Sequence, residues 1–146
     1  MSPAYKLVRP HMDFVLFQCI FPTLIMSPED VELFEEDPQE FIRKVQDPIE
    51  EFTDKGVAAG NLLTNLALLR LKDTLPRMLP FIDGIVRQYT LSPLESRDHR
   101  QMDGVMVAMA YLAGIMRRRK KYKHLLEPFF VTYLLPEFAS PVAYIR

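Results

Sequence analysis

Two stretches of this chain carry side chains whose types and spacing could do chemistry, and in both that chemistry is charge attraction. Between Glu29 and Asp54 lie eleven acidic residues and two basic ones. Between Arg97 and His124 lie eight basic residues and two acidic ones. Within the first, Glu32, Glu35, Glu36 and Asp37 stand close together; within the second, Arg117, Arg118, Arg119, Lys120 and Lys121 are consecutive. A carboxylate patch steers Lys- and Arg-rich proteins towards it, and a cationic patch steers acidic ones.

Both stretches also have a structural explanation. Ser27-Pro28-Glu29-Asp30 reads as a helix start, with a capping serine, a proline at the first helical position and acids in the first turn. Asp37-Pro38-Gln39-Glu40 repeats that signal. This accounts for Glu29, Asp30 and Asp37 without a partner, whereas Glu35 and Glu36 stay open to either reading. The basic run falls where a helix ends, so its cations complement a helix dipole. Nucleic acid is not expected there, because no aromatic residues interleave to stack bases. Leu33, Phe34, Phe41 and Ile42 are expected in the core.

Catalytic chemistry finds no foothold. His11, His99 and His124 are not at metal-ligand spacing. Cys19 has no Cys-x-x-Cys partner and is expected to be a buried thiol. No nucleophile elbow, phosphate-binding glycine loop or zincin pair occurs. Glu35 with Glu36, and Glu50 with Glu51, are adjacent and diverge on a helix. No cofactor, metal or enzymatic activity is expected.

The elements that must position these charges are helical. The chain has 146 residues, 49% of them hydrophobic and 25% charged, with a net charge of −1. That supports one domain with a real core and excludes a disordered chain. A lone cysteine fits a reducing compartment, and no secretory signal is evident. Phe14 to Met26 is too short to span a bilayer, with Gln18 and Pro22 interrupting it. From Met12, apolar residues follow the three-four spacing of a helix face. Two short helices are expected at 28–36 and 38–46. Longer ones are expected at about 54–72, then, after a turn at Lys72-Asp73-Thr74, at 75–90 with a kink or late start at Pro80. Helices of about 97–117, with a methionine stripe packed in the core, and 121–136 follow. Ser140-Pro141 is expected to open one more helix.

The two clear pairs begin about 44 residues apart, at Asp54 and Asp98, the period of HEAT or armadillo repeats. The expected fold is all-α, a right-handed α-α superhelix of antiparallel helix pairs. Residues 1–26 would be the second helix of a preceding repeat and 27–53 an acidic helical insert. Residues 54–91 and 95–137 would be two helix pairs, and 140–146 the start of the next helix. A piece of a solenoid exposes apolar faces at its ends, so self-association is expected.

Phe21-Pro22 followed by Glu32-Leu33-Phe34-Glu35-Glu36-Asp37-Pro38-Gln39-Glu40-Phe41-Ile42-Arg43 resembles the middle of an importin-β (karyopherin-β) nuclear transport receptor. Asp103-Gly104 before an apolar helix, the basic turn, and Leu134-Leu135-Pro136 are similar to that region too. The nearest groups are the large importins for ribosomal proteins and histones, then the cellular-apoptosis-susceptibility exporter. The likeness covers roughly Phe14 to Arg146; the segment from Ile42 to Asp54, interrupted by Pro48, has little family character. The resemblance implies a receptor fragment that binds the small GTPase Ran and basic cargo, with nucleoporins as a further partner class. It also implies shuttling between cytoplasm and nucleus through the pore, and it implies Glu32, Glu35, Glu36 and Asp37 as partner-facing residues. A different HEAT scaffold, such as a phosphatase scaffold, coat adaptor or chromosome-organising subunit, is the alternative.

Overall fold

A computed structural model describes residues 2–49 and 54–146. Glu50 and Glu51 lie outside them. Among the described residues every regular element is helical. The first, α1 (residues 3–24), is one rod made of unequal turns. It opens as Pro3–Val8, capped by the Ser2 hydroxyl, tightens to a 3₁₀ turn at Arg9–His11 and widens to π geometry over Val15–Ile20. The widening sits beside Pro22. That residue has no N–H to donate, and the Phe21 N–H reaches back to the Leu16 carbonyl, one residue further than in an α-helix.

By length and composition the helical stretch Pro3–Glu36 is apolar enough to cross a membrane, longer than the Phe14–Met26 run suggested. Its buried residues, Met12, Leu16, Ile20, Phe21 and Leu24, join the core shared with the other helices. The chain leaves helical geometry at Ile25.

Two short helices follow, α2 (Pro28–Glu36) and α3 (Pro38–Gln46), both starting where the serine and aspartate signals place them. Then comes α4 (Lys55–Leu69), capped by Asp54, whose carboxylate accepts from the Gly56 and Val57 N–H groups at 2.6 and 3.1 Å. The turn to α5 (Leu71–Leu91) is the single residue Arg70, not Lys72-Asp73-Thr74. The Arg70 carbonyl receives the N–H groups of Asp73 and Thr74, and the Thr74 hydroxyl donates to the Leu66 carbonyl at 3.1 Å. Sequence reading placed this turn late because polar residues signal turns. Here the polar Thr74 is fully buried and serves as the lock. Pro76 and Pro80 both lie inside α5, which starts well before either.

After a 3₁₀ turn at Leu94–Ser96, Asp98 caps α6 (His99–Arg117) by accepting the Gln101 N–H at 3.1 Å. Met102, Met109 and Met116 are buried along α6, so the methionine stripe is core. Finally α7 (Lys120–Phe129) continues through π turns at Phe130–Leu134 and a 3₁₀ segment at Leu135–Ala139. No helix follows Ser140-Pro141: the end of the chain makes bends and turns, folding back to bury Ile145.

The packing is that of a stack. Tyr5 meets Asp73, Asp13 meets Arg77, and Phe17 stacks on Phe81 with ring centroids 4.4 Å apart. Partner numbers rise together, so α1 and α5 run side by side in the same direction. The first helices of the two pairs, α4 and α6, pack on each other more extensively than any other two elements. Gly60 makes that close approach possible, because a Cβ there would lie 2.0 Å from the Tyr111 ring. Like helix on like helix is the HEAT arrangement, and the chain is an all-α, HEAT-like helical array.

Candidate functional site

The acidic stretch and the basic run sit at opposite ends of α6. Spanning His99–Arg117, α6 separates them by about 27 Å at 1.5 Å per residue.

At the N-terminal end the chain leaving α1 is held by α6. The Asp103 carboxylate accepts the Met26 N–H at 3.0 Å, and Arg100 Nε donates to the Met26 carbonyl at 3.1 Å. Beside them Gly104 has no side chain, and Ile25 and Phe21 close over it; a Cβ there would lie 2.7 Å from Ile25 Cγ1. The Asp103-Gly104 step is thus a clasp: one residue supplies the acceptor, the next supplies room. Burial holds the Asp103 carboxyl above its ordinary value, against the Met26 hydrogen bond and Arg100. The terminal turn comes near as well. Burial raises the Tyr144 hydroxyl, and the carboxylates of Asp103, Asp98 and Glu35 add to the effect.

From this clasp α2 and α3 project. Ser27 Oγ accepts the Asp30 N–H at 3.0 Å, and Glu29 is held below its ordinary value by its own backbone N–H and by the Ser27 hydroxyl. Lys44 Nζ reaches Asp30 Oδ1 at 2.6 Å and ties α3 to α2. Phe34 meets Phe41 edge-to-face at 5.4 Å. Leu33, Phe34 and Phe41 are nevertheless only half-buried and Ile42 is 49% exposed, so none of the four belongs to the buried core. The helical spacing was right, but a two-helix projection has no third layer to cover its apolar side.

The four predicted acids separate into two roles. Asp37 is exposed, and its Oδ1 accepts the Glu40 N–H at 3.0 Å, so it caps α3. Glu32, Glu35 and Glu36 are exposed and have no ion pair among the described residues. They form an open carboxylate edge one to two turns from the clasp.

At the other end, Arg117, Arg118, Arg119, Lys120 and Lys121 are all exposed, again without an ion pair among the described residues. They occupy the last turn of α6, the two-residue link Arg118-Arg119 and the first turn of α7. Lys121 Nζ lies 5.4 Å from the Tyr122 ring. Tyr122 is buried, which anchors the run.

No group of three or more His, Cys, Asp or Glu among the described residues could hold a metal ion. Cys19 is exposed rather than buried. The π turns of Val15–Ile20 shift the helix phase, and Leu16 and Ile20 take the inward positions instead. Sequence reasoning also missed an apolar groove of about 510 Å³ between α5 and α7, lined by Leu79, Pro80, Leu125, Phe129 and Tyr133, with Met109 and Met116 of α6 also on its wall. The helix-period apolar residues that line it looked like ordinary core.

No protein-family model and no solved structure matches the chain. It does match curated proteins along its whole length. It is 33% identical over 145 residues to the importin beta-like SAD2 homolog of Arabidopsis thaliana, covering 99% of this chain and 14% of that protein. It is 30% identical over 145 residues to human importin-8, covering 99% of this chain and 13% of that protein. It is 24% identical over 143 residues to the probable importin-7 homolog of Dictyostelium discoideum, covering 97% and 13%. The chain therefore spans about one seventh of these relatives' length, and with that share of the molecule it belongs to the importin-β superfamily.

Proposed function

We propose that this chain is a protein-binding segment of a nuclear transport receptor, whose carboxylate edge takes Ran in its GTP form and Lys- or Arg-rich cargo. The observation that carries the reading is the exposed, unpaired set Glu32, Glu35 and Glu36, projected by a clasped two-helix segment in a chain with importin relatives along its whole length. Carboxylates held on short helices present a fixed negative patch without paying much side-chain ordering on binding. Asp37 contributes by capping α3 and holding the edge in shape. The basic run at the far end of α6 suits acidic partner surfaces, with nucleoporins a further partner class. The work is binding, not catalysis, and the parent receptor shuttles between cytoplasm and nucleus.

In this reading residues 1–26 are the second helix of one repeat, 27–53 an insert, and 54–91 with 95–137 two pairs. Each pair touches mainly its neighbours, so a partner at the insert changes the stack's curvature through the Met26 clasp.

The test is a pulldown of the chain on immobilised Ran, loaded with a non-hydrolysable GTP analogue or with GDP, with a lysine-rich peptide in parallel. GTP preference, and loss of both interactions in the Glu32→Lys/Glu35→Lys/Glu36→Lys variant, is expected. Equal binding of both nucleotide forms removes the Ran assignment, and an unaffected triple variant removes the edge.

A further inference from the structure

We propose that the groove between α5 and α7 docks an acidic protein segment bearing apolar anchor residues, a partner of opposite charge to the one the carboxylate edge suits. The inference stands apart from the Ran and cargo reading, since it uses the other end of α6.

The first observation is a gap in the stack. One repeat earlier, α1 lies directly on α5: Phe17 stacks on Phe81 at 4.4 Å, and Phe21 meets Phe81 edge-to-face at 5.0 Å. By the same register α7 should lie on α5. Instead a groove of about 510 Å³ separates them, reaching down to Met109 and Met116 of α6. That volume is in the range of about 300–1,000 Å³ usual for binding clefts. Methionine side chains are flexible and polarizable, so this wall adapts to differently shaped anchors.

The second observation is charge. Among the described residues Asp83 is the one carboxylate lining the groove, and Arg87 pairs with it at 2.7 Å. At the groove's end, Lys121 stands one helical turn before Leu125, on the same side of α7, and Arg117 follows Met116 directly. On another face of α7, Lys120, Lys123 and His124 stand on open surface with one carboxylate, Glu127. Arg117 to Lys121 have no ion pair among the described residues. An apolar trough with Lys121 and Arg117 at its end fits a segment whose Leu- or Phe-type side chains enter the trough while its acids meet those cations. A purely acidic ligand would leave the trough wet, and a basic one would be repelled from its mouth.

The probe is a short fluorescein-labelled peptide alternating Glu with Leu, titrated into the whole chain by anisotropy. One control peptide replaces Glu by Lys and another replaces Leu by Ser. The Glu/Leu peptide is expected to bind, and both controls about tenfold or more weaker. Lys121→Glu and Leu125→Asp should each weaken binding about tenfold. Leu125 is 42% exposed, so its variant should fold, and circular dichroism checks it; Leu125→Ser is the uncharged second variant. Lys6→Glu, exposed on α1, should leave binding unchanged. With methyl-labelled methionine, the Met109 and Met116 resonances should move while Met12 stays. Equal binding of the Lys peptide, equal binding of the Ser peptide, an unaffected Leu125→Ser variant, or stationary Met109 and Met116 methyls would each overturn the proposal.

Discussion

Two glycine-to-alanine substitutions, identical in chemistry and both inside helices, should change stability in different directions. At Gly84 in α5 an added Cβ meets nothing within 4 Å. Alanine there lowers the entropy cost of the helix, worth about 0.8–1 kcal/mol in favour of the fold. At Gly104 in α6 the same propensity gain applies. The new Cβ, however, would lie 2.7 Å from Ile25 Cγ1 and 3.0 Å from Phe21 Cζ. Phe21 cannot retreat: it is 2% exposed and held edge-on by Phe81. Overpacking of this kind costs about 1–3 kcal/mol, so Gly104→Ala should range from neutral to about 2 kcal/mol destabilising. Subtracting one variant from the other removes the propensity common to both. The remainder, about 1–3 kcal/mol, measures how tightly the end of α1 sits on α6. The chain has no tryptophan, so thermal unfolding followed by circular dichroism at 222 nm is the assay. The midpoint temperatures should separate by roughly 2–4 °C per kcal/mol. If Gly104→Ala stabilises as much as Gly84→Ala, α1 does not close over α6 and the clasp is wrong.

Four further outcomes follow from particular side chains. Asp103 is an acid whose folded pKa is raised, so its contribution is fully present below its unfolded pKa near 4 and is lost as pH rises through the higher folded value. Asp103→Asn keeps an acceptor for Met26 without the buried charge and should be neutral or stabilising at pH 7. Asp103→Ala should cost about 1–3 kcal/mol by orphaning the Met26 N–H; chemical denaturation distinguishes them. The Tyr89 hydroxyl, buried and donating to Glu137 at 2.9 Å, is pushed up to about 12. Its contribution is intact below pH 10 and fades between pH 10 and about 12, and absorbance titration near 295 nm should find a step near pH 12 that is lost in Tyr89→Phe. Cys19, being exposed, should react with a thiol reagent in native buffer as fast as in denaturant, and strong protection would contradict the π-shifted register of α1. Exposed apolar side chains at Leu7, Phe14, Phe130 and Phe138 should drive self-association at high concentration, and light scattering showing a monomer would refute it.

The helix starts were the most legible part of the fold. Ser27, Asp37, Asp54 and Asp98 are local signals, each read by a backbone N–H within three residues. Their spacing also gave the repeat length, because a cap marks a start whatever packs on it later. Interior breaks were not legible. The turn at Arg70 lies inside a leucine-rich run, and only the tertiary bond from Thr74 to Leu66 shows where one helix yields to the next. Burial failed where local geometry departs from 3.6 residues per turn, as at Cys19, or where a projection has too few layers, as at Ile42. Ser140-Pro141 carries a sound start signal, yet the chain after it turns instead and buries Ile145. Of the charged residues, exposure was foreseeable for both patches and Asp37 was legible as a helix start, but that Glu32, Glu35 and Glu36 stand together without an ion pair among the described residues needed the geometry.

Amide hydrogen exchange on the chain, alone and with Ran in each nucleotide state, tests the central claim most directly. Charge presented on a clasped helical projection predicts slowed exchange across residues 28–37 with GTP-loaded Ran, and no change with the GDP form. Unchanged exchange there in both states, or equal protection by both, would contradict it.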